Sequence, residues 1–169
     1  MSEANTSTSL DAERAALFEF LGYKREGLIE RLHGLTEEQV RMTPTASALS
    51  LLSLVKHSAI WERRWFQVIV AGRSFPGEWP DVQPAADGHD STFDLAATDT
   101  VETVVADYRQ QIAASNEILA GFDLDARCAL SAMADESVRW VALHMIEETA
   151  QHLGHADIIR ETIDGRRGR

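Results

Sequence analysis

Apolar side chains recur along this chain at helical spacing in four long blocks. Between Leu10 and Leu35, the residues Leu17, Leu21, Leu28, Leu32 and Leu35 fall mostly three, four or seven positions apart, which marks one face of a helix that ends near Gly34. Thr36-Glu37-Glu38-Gln39 fits a capping box, but Pro44 follows soon after and leaves room only for a short turn. Ser47 or Ser50 caps a second long helix through about Ala71, with Leu51, Leu54, Trp61, Trp65 and Val68 as its stripe and Gly72 at its end. Residues 72–98 hold Pro76, Pro80, Pro84 and scattered Asp with no sustained period, so they read as a long loop. Asp99 then offers an N-cap for a third helix carrying Val101, Val105, Tyr108, Ile112 and Leu119 and ending at Gly121. The fourth runs from near Ser137 to Ile163 and is closed by Gly165.

No segment alternates as a strand would. The pattern predicts an all-α four-helix bundle over residues 10–165, with a long loop between the second and third helices, so simple up-down-up-down connectivity is not required. Residues 1–9 are small and polar and read as a disordered tail, and residues 166–169 as a basic C-terminal tail. A length of 169 residues suits one domain.

Charge narrows the function. With 16 Lys+Arg against 27 Asp+Glu the formal net charge is −11, which repels phosphate backbones and anionic lipid, so neither nucleic acid nor membrane is expected as a partner. No stretch reaches the roughly 18 apolar residues of a span, and the N-terminal segment lacks the features of a secretory signal. A cytoplasmic location is expected. Cys128 is the single cysteine; it reads as a small buried filler, and any metal must be held by His and carboxylate.

Helical geometry brings three such residues inward. At about 100° per residue, with His144 at 0°, the apolar arc of the fourth helix runs through Val141 and Ile159 near 60° to Val138 and Ala156 near 120°. Glu148 at about 40° and His152 at about 80° lie in or beside it, whereas Glu147, Asp157 and Glu161 point away. A lone buried carboxylate costs several kcal/mol unless paired, so Glu148 requires a partner charge. On the second helix His57 lies beside the stripe of Leu54, Trp61, Trp65 and Val68. His57 with Glu148 and His152 makes an N/N/O set of the size used by catalytic zinc. Two other readings stand beside it: each inward His as a hydrogen-bonded core residue, with Glu148 paired to Arg64 or Arg139, and a rival triad in which His144 or His155 replaces Glu148. His33 and His89 read as surface residues. No phosphate loop, zincin pattern or Ser/His/Asp order is present.

The segments Leu54-Val55-Lys56-His57-Ser58-Ala59-Ile60-Trp61-Glu62 and Val138 to Asp157, the latter containing His144-Met145-Ile146-Glu147-Glu148-Thr149-Ala150-Gln151-His152-Leu153-Gly154-His155, resemble the DinB/YfiT-like superfamily of four-helix metalloproteins, in particular its actinobacterial DinB family or mycothiol transferase branch. The resemblance implies one divalent metal, zinc or nickel, held by a His on the second helix and two residues four apart on the last. Many members have His at both of those positions; the Glu148-x-x-x-His152 form is similar to that of mycothiol-dependent maleylpyruvate isomerase.

The resemblance also implies an activity: a metal-dependent enzyme, an S-transferase or isomerase, that activates a low-molecular-weight thiol such as mycothiol toward a small electrophilic substrate. His57, Glu148 and His152 are then the metal ligands, His155 or Glu62 the proton carrier, and Trp61 and Trp79 the residues that line and cover the cofactor pocket. Two alternatives from other classes are a non-catalytic metal-binding stress-response module and a metal-assisted hydrolase. Assembly as a homodimer is compatible with each.

Overall fold

The computed structural model describes residues 3–79 and 89–168, so residues 80–88 of the expected loop, with Pro80 and Pro84, lie outside the described residues. Five α-helices follow in order: α1 (Glu3–Glu30), α2 (Glu37–Val40), α3 (Leu51–Glu62), α4 (Val101–Gly121) and α5 (Val138–Asp164). There is no strand among the described residues. Helix α3 runs on into wider π-helical turns at Arg63–Val70, and short 3-10 turns lie at Ser91–Phe93 and Ser131–Met133. The architecture is the expected all-α bundle, with α2 as a short turn beside its four long helices. No described helix is long and apolar enough to cross a membrane.

Local chemistry explains most helix ends. Thr36 and Gln39 form the anticipated capping box, and Ser50 rather than Ser47 caps α3, where it pairs reciprocally with Ser53. Helix α4 is capped by Thr100 with Thr103, not by Asp99; the Asp99 carboxylate instead accepts from Lys56 and from the Ala96 amide. Ser137 opens α5, and Gly165, at φ 75°, closes it in the left-handed conformation that glycine adopts freely. Helix α1 departs from expectation at both ends. It begins at Glu3, inside the stretch read as a tail, because extending an established helix adds a hydrogen bond per residue ordered. It stops at Glu30, before Gly34, as Arg31, Leu32 and His33 turn to bonds three residues back.

Cross-helix bonds set the directions. Arg139 reaches Glu13 near one end, and Arg160 holds the backbone oxygens of Arg31 and His33 at the other, so α1 and α5 run parallel. Lys56 pairs with Asp99 and Gln67 with Gln111, which makes α3 and α4 parallel as well. Arg14 bonds the Phe122 oxygen while Glu26 pairs with Arg109, so the two parallel pairs oppose each other. The order is up, down, down, up. Two neighbouring helices that are parallel need a connection spanning the bundle, which is why the chain between α3 and α4 is long.

The interior divides into two apolar clusters. Leu17, Leu21, Phe66, Ile69, Val141 and Met145 fill one end, and Leu28, Leu32, Leu54, Val55, Tyr108 and Ile159 fill the other. Between them lies Arg25, with 2% of its surface exposed, whose Nε and Nη2 donate to both oxygens of a fully buried Glu62 at 2.6 and 2.7 Å. Arg25 Nη1 donates to Asn116 of α4 at 2.9 Å. Three helices are tied at one level.

Breaking one partner of a buried pair leaves the other charge without compensation, at a typical cost of about 3–5 kcal/mol. Urea denaturation of Glu62→Gln is expected to show a loss of about this size. The double variant Arg25→Met/Glu62→Leu should recover most of it, since the stranded charge is gone.

Candidate metal centre

His57 on α3 and Glu148 and His152 on α5 converge, as the helical arithmetic required. One donor atom from each lies within 4.8 Å of the others, and among the described residues no other group of three His, Cys, Asp or Glu does so. Glu148 Oε1 stands 3.4 Å from His57 Nε2 and 3.1 Å from His152 Nε2. His57 and His152 are buried, Glu148 is partly exposed, and Glu147 one residue away is exposed. The neighbouring positions of α5 therefore separate as their angles demanded.

The loop supplies three residues that the sequence reading did not single out. Thr92 Oγ1 donates to Asp90 Oδ1 at 2.5 Å, so it accepts from His57 Nδ1, 2.6 Å away. That relay puts the imidazole proton on Nδ1 and leaves the Nε2 lone pair facing Glu148. Phe93 stacks on His57 with centroids 3.8 Å apart and rings 9° from parallel, and meets His152 edge-on at 5.8 Å. The signal in the sequence was Asp90 two residues before Thr92, a spacing at which an Asx turn forms.

Electrostatics favour a cation at the convergence point. Burial lowers the His57 pKa below its usual value despite the nearby carboxylates of Glu148 and Asp90, so the imidazole stays neutral near pH 7. The hydrogen bond from His152, and then the adjacent His57 ring, hold the Glu148 carboxyl far below its usual range against the opposing effect of burial. Partial burial alone would raise Asp90, but the Thr92 hydroxyl and amide that donate to it hold it below the normal value. With His57 neutral, two electron-pair donors face each other across 3.4 Å, a contact that a positive charge between them relieves. Two imidazoles and one carboxylate are the donor set that suits zinc and its neighbours. His152 Nδ1 is buried without a hydrogen-bond partner among the described residues, so packing by Phe93 takes the place of a second bond in orienting it.

The remaining candidates are dispersed. The Trp61 and Trp79 ring centroids lie 6.3 Å apart, and that of Trp61 is 6.1 Å from His57, which puts an aromatic wall beside the convergence point. His155 lies 5.8 Å from His152, its Nδ1 buried and without a partner among the described residues, and borders a cavity of about 180 Å³ with Thr45, Ser47 and Leu49. Glu62, anticipated as a proton carrier, is instead locked to Arg25 on the opposite side of α3. Neither rival triad gathers: among the described residues no convergent group of three contains His144 or His155, and His144 stacks on Trp140 at 5.1 Å, with Trp65 4.4 Å away. Arg64 and Arg139 do not neutralise Glu148 either: Arg139 pairs with Glu13 and Asp125, and Arg64 packs over the indoles. Cys128 is buried in the core, where burial raises its thiol pKa. His89 pairs with Asp94, and His33 is exposed. A larger concavity of about 740 Å³ between α1 and α5 contains none of the three convergent residues.

Neither curated proteins nor solved structures gave a match to this chain. The sequence profile of the mycothiol-S-transferase family matches residues 16–165, from α1 to the end of α5, and that span includes His57, Glu148 and His152. The chain thus has the DinB/YfiT-like kinship its two segments suggested, and it belongs to the mycothiol-S-transferase family.

Proposed function

We propose that the protein is a metal-dependent transferase that joins a small thiol of the mycothiol kind to an electrophilic carbon. The observation that carries this reading is the convergence of His57, Glu148 and His152 at the foot of a wall built from Trp61 and Trp79. A divalent ion held by the three, zinc or nickel, supplies the positive charge that keeps a thiol deprotonated at neutral pH.

The chain's own groups then have separable tasks. Asp90 and Thr92 fix the His57 tautomer, so its Nε2 is ready as a donor without rearrangement. Trp61 and Trp79 present indole faces that exclude water from the reacting atoms. His155 holds an unclaimed ring nitrogen beside the cavity next to His152 and takes the thiol proton. As the carbon–sulfur bond forms, the bond to the leaving group breaks and its electron pair departs with that group. Glu62 has no part in this, being held by Arg25.

Several measurements test the assignment. His57→Ala is expected to bind zinc at least tenfold more weakly while its circular dichroism stays that of the helical wild type. Added Zn²⁺ should raise the melting temperature of wild type and Glu147→Gln but not of Glu148→Gln; equal stabilisation of all three would remove Glu148 from the ligand set. Thr92→Val keeps every ligand but loses the relay, and zinc affinity is expected to drop about 10- to 100-fold. Consumption of an electrophile that requires both mycothiol and metal is the direct test of turnover. Metal uptake with no thiol-dependent reaction would instead identify a binding module.

A further inference from the structure

Arg64 occupies an unusual position for an arginine in so acidic a chain. Its guanidinium carbon lies 4.8 Å from the Trp61 ring centre and 5.7 Å from that of Trp79, so the cation is stacked on the wall of the candidate metal centre. It is partly buried, and among the described residues no carboxylate comes within ion-pair distance of it. The neighbouring acids are already engaged: Asp90 accepts from Thr92, and Glu78 pairs with Arg63. Trp61 adds a second unclaimed donor, since its buried indole Nε1–H has no acceptor among the described residues. Arg25, Arg31, Arg139 and Arg160, by contrast, all have carboxylate partners.

A planar guanidinium offers five N–H donors in a fork that matches a carboxylate, and desolvation by the flanking indoles strengthens its pull on an anion. Burial in fact pulls the Arg64 pKa below its usual value, consistent with a cation short of compensating charge, although arginine remains charged throughout the working range. An uncommitted donor pair on an aromatic wall beside a reaction centre is the arrangement that orients a ligand with one flat apolar body and one anionic end.

We infer that Arg64, with the Trp61 indole N–H, forms a carboxylate-recognition subsite that selects electrophiles bearing an anionic group and a flat body able to lie on Trp61 and Trp79. The assignment of the carboxylate to the electrophile rests on the transfer reading above, but binding of the anion does not depend on turnover. Arg64 is here a specificity-determining residue, separate from the ligands that hold the ion.

The test compares cinnamate with cinnamamide, which share one flat skeleton and differ in charge, by isothermal titration of the full chain with and without zinc. Wild type is expected to bind the acid at least tenfold more tightly than the amide. Arg64→Gln should bring that ratio close to one by weakening the acid alone, and Arg64→Lys should retain part of it because charge survives but the fork does not. A ratio near one in wild type, or no detectable binding of either compound, overturns the proposal. A preference that persists undiminished in Arg64→Gln overturns it too, and if present only with zinc places the anion on the metal. Failure of the transfer reading has a different signature: the acid preference and its loss in Arg64→Gln would stand while no thiol-dependent reaction occurs.

Discussion

Arg25 and Glu62 form a bidentate ion pair in the middle of the bundle, out of contact with water, and the register of the helices follows from it. Two charges taken out of water are tolerable only when their geometry is good and the remaining donors are satisfied. Here that requires α1 and α3 to meet at one level and α4 to bring Asn116 to the same place. Apolar clusters then pack above and below this level. With Glu62 directed at α1, His57 five residues earlier is turned roughly 140° away from it and toward α5. The site's position on α3 is thus tied to an interaction in which no site residue takes part.

The second organising element is the short 3-10 turn at Ser91–Phe93. It delivers a hydrogen-bond acceptor to one nitrogen of His57 and an aromatic face to the imidazole plane, which leaves that side chain little freedom. The turn is part of the long connection that the parallel placement of α3 and α4 makes necessary. A topological requirement therefore supplies the residues that prepare the donor nitrogen. The wider π-helical turns after Glu62 lie beside this region and carry Arg64 and Trp65 onto the aromatic wall; such turns recur at functional sites because they re-aim side chains without ending the helix.

Much of this was legible in the sequence because periodicity depends on burial, and burial was nearly complete along one face of each helix. The inward angles of Glu148 and His152, and the outward angle of Glu147, needed only the helical step. The same arithmetic applied to Glu62 would have separated it from His57, since residues five apart lie on different faces of a helix. Three features left no periodic trace. Asp90, Thr92 and Phe93 act from a loop, where no spacing rule links them to His57 35 residues earlier. The π-helical turns at Arg63–Val70 interrupt no apolar spacing that would mark them in the sequence. The choice of Thr100 over Asp99 as N-cap turned on Lys56, a distant residue that claimed the Asp99 carboxylate.

The parallel pairing of α1 with α5 has a consequence for how the molecule is made. Arg31 and Asp157, which join these helices, are 126 positions apart, and His57 and Glu148 are 91 apart. Closing loops of that length carries an entropic cost that local helix contacts do not. Until α5 has docked, the faces of α1 and α3 that pack against it stay uncovered. Apolar surface left open before that step is of the kind that chaperones hold and that invites association. An ion bridging α3 and α5 would act on that step, as a latch between two helices far apart along the chain.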